Sequence, residues 1–186
     1  MIRIFLIGYM GAGKTTLGQP LARALGVDFI DLDWYIEGRF HCSIPQLFTE
    51  RGEAGFRQVE QRMLHEVGEM ENVVVSTGGG TPCFGDNVDY MRRMGQTVFL
   101  QASEEALFRR LRVARYKRPL LRDKDDDELR AFIRTSLEAR LRFYSQAEYT
   151  LPSDELESRS QIARTVERTI RLLGLPFPPS PLCQNQ

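Results

Sequence analysis

The sequence predicts a three-layer α/β/α fold around a five-stranded parallel sheet, and three observations predict it. Short apolar runs of strand length alternate with stretches of helical spacing along most of the chain. The runs are unbroken rather than alternating in and out, which suits strands covered on both faces. The first run also passes through a glycine-rich loop directly into the first helix, the connection of a unit that binds anions at a helix N-terminus.

Ile2 to Ile7 is the first strand, stopped by Gly8, and Thr15 to Leu25 is the first helix, with Leu17, Leu21, Ala24 and Leu25 on one side and Gly26 closing it. Pro20 lies inside that helix, where it removes a hydrogen bond and should bend the axis. Val27 to Asp31, Val73 to Thr77 and Thr97 to Gln101 are the next three strands, and Tyr149 to Leu151 is a short fifth. Helices are predicted over about 44–51, 53–69, 86–94, 103–114, 126–147 and 158–173. Arg115 to Asp127, dense in charge and holding Arg118-Pro119, reads as a loop. Residues 1–174 are expected to form one domain; residues 175–186, with four prolines and no periodicity, are expected to be a disordered tail.

Composition excludes several functions. Apolar residues make up 42% and charged residues 27% of the 186, which suits a folded core rather than a disordered chain. Lys and Arg total 25, as do Asp and Glu, and a balanced chain lacks the basic excess of a general nucleic-acid or membrane-surface binder. Only Lys14, Lys117 and Lys124 are lysine; the rest of the basic residues are arginine, the better bidentate grip on carboxylate and phosphate. Cys42, Cys83 and Cys183 stand far apart and the only histidines are His41 and His65, so neither a disulfide scaffold nor a zinc site is expected. No apolar run is long enough to span a membrane, and Met1 to Ile7 has no charged leader or cleavage site. A cytoplasmic monomer is expected.

Gly8-Tyr-Met-Gly-Ala-Gly13-Lys14-Thr15 fits the P-loop pattern G-x-x-x-x-G-K-[ST]. Glycines let the chain wrap tightly and present bare N–H groups to phosphate oxygens. ATP is therefore expected on Gly11, Ala12, Gly13, Lys14, Thr15 and Thr16, with Lys14 reaching the β- and γ-phosphates and Thr15 ligating Mg²⁺. The guanine signature N-K-x-D is absent, and the chain has the size of a small-molecule kinase, so an acceptor site must exist.

Asp31 and Asp33 end the second strand, where residues i and i+2 share a side at the ligand-binding edge of an open sheet. One could hold Mg²⁺ through water and the other accept an alcohol's proton; the alternative is a helix cap at Asp33 and a loop aspartate at Asp31. Arg57 could simply pair with Glu53 one helical turn away. Gly78-Gly79-Gly80 would let backbone approach a ligand closely, and Arg118 in the charged loop could close over ATP.

In order, these residues resemble the shikimate kinases from Ile4 to about Leu173. The resemblance rests on the P-loop, Asp31-x-Asp33-x-x-Ile36-Glu37, Ser43-Ile44-x-x-Leu47-Phe48, Gly52-Glu53-x-x-Phe56-Arg57-x-x-Glu60, Ser76 to Gly80, Arg118-Pro119-Leu120-Leu121, and Ala139-Arg140 with Tyr144. It implies a P-loop NTPase fold with a substrate-binding segment at about 33–60 and a lid at about 112–124. It implies transfer of the ATP γ-phosphate to the 3-hydroxyl of shikimate, with Lys14, Asp33 and Arg118 as catalytic residues. Asp33, Arg57, Gly79 and Arg140 would bind shikimate, Arg118 would also touch ATP, and Thr15 and Asp31 would serve Mg²⁺ in its inner and outer shells. Two departures stand out: His41-Cys42 occupies a stretch where the family usually has a glycine, and either Arg110 or Arg112 would be the adenine-side arginine. A kinase for another hydroxy acid such as gluconate, or a non-catalytic binding module, are the rival readings; the retained Lys14, Asp33, Arg57 and Arg140 weigh against both.

Overall fold

A computed structural model describes residues 1–117 and 119–176. Five strands form one parallel sheet: β1 (Arg3–Ile7), β2 (Asp28–Asp31), β3 (Val73–Ser76), β4 (Gln96–Gln101) and β5 (Tyr149–Pro152), in the order β2-β3-β1-β4-β5. β1 and β3 are buried along their whole length, as their unbroken apolar runs require, while the edge strand β2 is partly exposed.

The helices are α1 (Lys14–Leu25), α2 (Leu32–Phe40), α3 (Ile44–Gly68), α4 (Asn87–Met94), α5 (Glu104–Ala114), α6 (Asp126–Tyr144) and α7 (Arg159–Leu172). Side-chain caps from Ser43, Ser103, Asp125 and Ser158 start α3, α5, α6 and α7, so most helix starts are written locally in the chain. The crossover from β1 to β2 runs opposite to all later ones; with right-handed crossovers, α1 takes one face and α3 to α6 the other. α7 returns to pack on α1.

The order also sets the site. Leu6 and Asp31 both pair in register with Ser76, so β2, β3 and β1 deliver their C-terminal ends side by side. Strand order reverses at β1, and ligands bind at such a reversal. At the far end of β1, Arg3 is buried and donates to the carbonyls of Met70 (2.7 Å), Met94 (2.7 Å) and Glu69 (3.1 Å), meeting the C-terminal ends of α3 and α4.

Three expectations are corrected. The second strand ends at Asp31, and Asp33 lies in the first turn of α2, a helix the sequence reading did not foresee. Leu32, Tyr35, Ile36 and Phe40 stand at i, i+3, i+4 and i+8 and pack on the core, a helical spacing that the sequence reading passed over because Trp34 and Arg39 interrupt it. Asp31, not Asp33, is the cap: its Oδ1 accepts from Asp33 N at 3.2 Å. The 115–127 loop contains two short 3₁₀ turns, Arg115–Lys117 and Pro119–Leu121, and Leu121 is fully buried, so the loop has a core anchor. By contrast, the two helices expected on either side of Gly52 both appear, joined as α3 across a kink at Gly52 (φ 66°, ψ 177°). α1 continues through Pro20. Residues 177–186, with Cys183, lie outside the described residues. No described helix is long and apolar enough to cross a membrane.

Candidate active site

The phosphate side is built where β1 turns into α1. Gly13 caps α1 in the left-handed region (φ 98°), a conformation a side chain would strain, and Lys14 begins the helix. Lys14 is buried, and its Nζ donates to the carbonyls of Gly8 (2.7 Å) and Tyr9 (3.0 Å), which lay the ammonium along the inside of the loop. Gly11, Gly13, Thr15 and Thr16 line the same cleft of about 410 Å³, and Ala12 is buried behind it.

Thr15 Oγ1 donates to Asp31 Oδ2 at 2.7 Å. A hydroxyl and a carboxylate side by side next to Lys14 are hard oxygen donors and fit Mg²⁺. No group of three or more His, Cys, Asp or Glu that could cage a metal occurs among the described residues.

Asp33 stands beside this pair at the boundary with the acceptor side. Its carboxyl is raised from 3.8 to about 6, first by burial and then by the negative charges of Asp31 and Glu60, with Lys14 opposing. A group held there can change protonation close to neutrality, which general-base work requires.

The other side of the cleft is organised around Gly78-Gly79-Gly80 after β3. The carbonyls of all three are tied: Gly78 O accepts from Thr81 N (3.2 Å), Gly80 O from Cys83 N (2.9 Å), and Gly79 O from the Tyr144 hydroxyl (2.5 Å). Their N–H groups have no partner among the described residues. A methyl on Gly78 would come within 3.1 Å of Asp33 Oδ1, and one on Gly80 would run into the Arg57 guanidinium, so bare backbone is needed here.

Arg57 does not pair chiefly with Glu53, which is 3.9 Å away and exposed. Its Nη1 bonds Glu60 Oε2 at 2.6 Å, and Glu60 is 1% exposed. The other Glu60 oxygen accepts from Thr81 Oγ1 at 2.6 Å, so both are used. Phe48 and Phe56 stack at 4.2 Å, and the Arg57 guanidinium lies 5.4 Å from the Phe56 ring centre. Arg140 approaches from α6: its guanidinium lies 5.5 Å from the Tyr9 ring centre, and its Nη1 would be 3.6 Å from a methyl on Gly79. Arg57 and Arg140 therefore meet the glycine turn from two sides.

Of the two adenine-side candidates, Arg110 faces the cleft. It bonds the carbonyls of Gly11 (3.2 Å), Ser153 (2.8 Å) and Asp154 (2.9 Å) and pairs with Glu157 (3.1 Å). Arg112 is exposed and paired with Asp126. Arg118 lies outside the described residues. Sequence reasoning gave no role to Glu60 or Thr81. The i, i+3 spacing of Arg57 and Glu60 was the available signal for the first; nothing local marks the second.

Comparison with known proteins adds a family and close relatives. Residues 10–171 match the family model described as Shikimate kinase. A protein named Shikimate kinase from Bacteroides thetaiotaomicron is 62% identical over 175 residues, covering 94% of this chain and 100% of the relative. The crystal structure of Shikimate Kinase from Bacteroides thetaiotaomicron superposes with a TM-score of 0.88 at 59% identity, over 94% of this chain and 99% of that one. Shikimate kinase from Acinetobacter baumannii in complex with shikimate superposes at 0.81 with 31% identity, over 94% of both chains.

Proposed function

We propose the residue roles below for a chain that belongs to the shikimate kinase family and transfers the ATP γ-phosphate to the 3-hydroxyl of shikimate. The observation that carries the assignment is the convergence of Lys14, the Thr15–Asp31 pair and Asp33 on one cleft, with Arg57 and Arg140 flanking its glycine turn.

The triphosphate lies on the N–H groups of Gly11 to Thr16, at the positive end of α1. Lys14 shifts from its carbonyl partners toward the β- and γ-phosphates. Thr15 and, through water, Asp31 would hold Mg²⁺, which would supply charge neutralisation at the phosphates. Arg57 and Arg140 clamp the shikimate carboxylate, where two guanidiniums give strong charge-assisted bonds. Gly79 presents its N–H to the acceptor. Asp33 orients the ring hydroxyls and takes the proton of the one that attacks. Arg118 comes from a lid at about 112–124 and neutralises charge on the transferring group; residues 33–60 are the substrate segment. Catalysis is in-line transfer by positioning and electrostatics. Arg110 serves the adenine side. All these residues belong to one chain, and we propose a monomer working in the cytoplasm.

The test is a coupled ADP-release assay with Mg-ATP, with and without shikimate, and the product weighed for one added phosphate. Shikimate-dependent release is expected. For the roles, Arg57→Ala should raise the shikimate KM strongly with the ATP KM nearly intact, and Lys14→Ala should lose turnover while staying folded. Equal loss of ATP affinity in the first, or normal turnover in the second, refutes the corresponding role.

A further inference from the structure

We propose that Tyr144 is a positioning residue for the acceptor: its hydroxyl, bonded to Gly79 O, sets the glycine turn against the helix that carries Arg140. The proposal rests on the reading above that the Gly79 N–H and Arg140 meet shikimate, and it adds the neighbouring Gly80 N–H to that set.

Three consecutive glycines have more backbone freedom than any other tripeptide, so a turn made of them does not hold its amide directions unaided. Of its three carbonyl anchors, two are bonds to Thr81 and Cys83 a few residues further on. Tyr144 is the anchor from elsewhere in the chain, 65 residues away. A trans peptide is planar, so fixing Gly79 O fixes Gly80 N–H on the opposite side of the same plane. The bond therefore holds an unpaired N–H in one direction.

The phenol is itself immobile. Tyr144 is fully buried and stacks on Phe99, with ring centres 5.3 Å apart. Burial also pushes its ionisation up, so the hydroxyl remains a donor at any working pH. Arg140 lies one turn earlier on α6, with its Nη1 near Gly79. One side chain thus sets the distance between a backbone donor and a guanidinium meant for the same small molecule. An error there acts on the acceptor directly, and on ATP only through the Gly8 and Met10 backbone that Gly79 neighbours.

The experiment compares Tyr144→Phe with Tyr90→Phe in the full chain. Tyr90 donates to the carbonyl of His65 at 3.0 Å, so its variant loses the same kind of bond away from the cleft. Both should lower the melting temperature by about 3 °C. Only Tyr144→Phe should raise the shikimate KM, by about fivefold, with the ATP KM unchanged. A shikimate KM no higher than in Tyr90→Phe overturns the proposal, as does an equal rise in the ATP KM. Arg140→Ala measured alongside separates the two ways of failing. If it raises the shikimate KM while Tyr144→Phe does not, only the positioning role falls; if neither does, the site reading falls with it. In the unmodified chain, the amide resonances of Gly79 and Gly80 should shift when shikimate alone is added. Their failure to move overturns the proposal without any variant.

Discussion

Replacing Glu60 by glutamine removes one charge and almost no volume. Glu60 is buried, with one oxygen on Arg57 and the other on Thr81, both at 2.6 Å. The amide can still accept from Thr81, but its NH₂ then faces the Arg57 guanidinium, donor against donor. Breaking a buried ion pair from one side costs about 3–5 kcal/mol. Arg57 retains some contact with water, its side chain being 17% exposed, so the lower end applies, about 3 kcal/mol. For a chain of this length that is a fall of about 6–12 °C in melting temperature. Binding suffers for a second reason. Arg57 is already fixed before shikimate arrives; once released, its rotamers must be ordered on binding, at about 0.5–1.5 kcal/mol, or about a three- to tenfold rise in the shikimate KM. Thermal melts and the coupled ADP-release assay read the two effects separately. An unchanged melting temperature would show that the ion pair contributes nothing in solution. A lower melting temperature with an unchanged shikimate KM would show that Glu60 supports the fold and not Arg57's pose.

The raised carboxyl of Asp33, about 6 against an ordinary 3.8, makes two pH predictions. Catalytic efficiency toward shikimate should climb through an ionisation near pH 6, because the ionised form takes the proton; a flat profile from pH 5 to 7 refutes that role. Because the folded state holds this proton more tightly, Asp33's contribution to stability is present below about pH 4 and lost as pH rises through 6. Asp33→Asn should therefore melt higher than the unmodified chain at pH 8, with the gain vanishing toward pH 4, and a constant gain would contradict the linkage. Gly80→Ala keeps an ordinary backbone (φ −96°) but drives a methyl into Arg57; the shikimate KM should rise about tenfold with the ATP KM unmoved, and no rise would mean Arg57 swings aside freely. Arg3→Met strips three carbonyls of their donor at the end of β1 away from the cleft; it should cost about 3 kcal/mol with kinetic constants intact, and a melting temperature within about 3 °C, half the smallest expected loss, refutes the clamp.

Much of this was legible in the sequence because the signals are local. The P-loop is a contiguous pattern whose glycines have a stated geometric reason, and every predicted strand appears within a residue or so of its expected ends. The break at Gly52 was also visible, since the segments predicted on either side stop there. What escaped was what only tertiary contact decides. α2 is the exception: Leu32, Tyr35, Ile36 and Phe40 carry a legible helical spacing that was passed over, and Asp33 was given the right neighbourhood by the wrong element. Arg57 has a glutamate at i−4 and another at i+3; sequence spacing favoured the first, and burial favours the second. Thr81 and the anchoring of Gly79 by Tyr144 depend on parts of the chain far apart in sequence, which no window can see.

The kink at Gly52 divides α3 into portions of unequal security. Beyond it the helix buries Phe56, Val59, Glu60, Met63, Leu64 and Val67; before it, only Leu47 is buried. The short arm, held by Leu47, the partly buried Ile44 and Phe48, and a bond from Ile44 N to Glu37, puts less apolar surface at stake than the rest and can open first. Such an opening exposes the Arg51–Gly52 bond to a trypsin-like protease while the helix carrying Arg57 stays folded. The chain therefore carries a breakpoint shortly before Arg57, and limited digestion would nick it there rather than in the nucleotide loop.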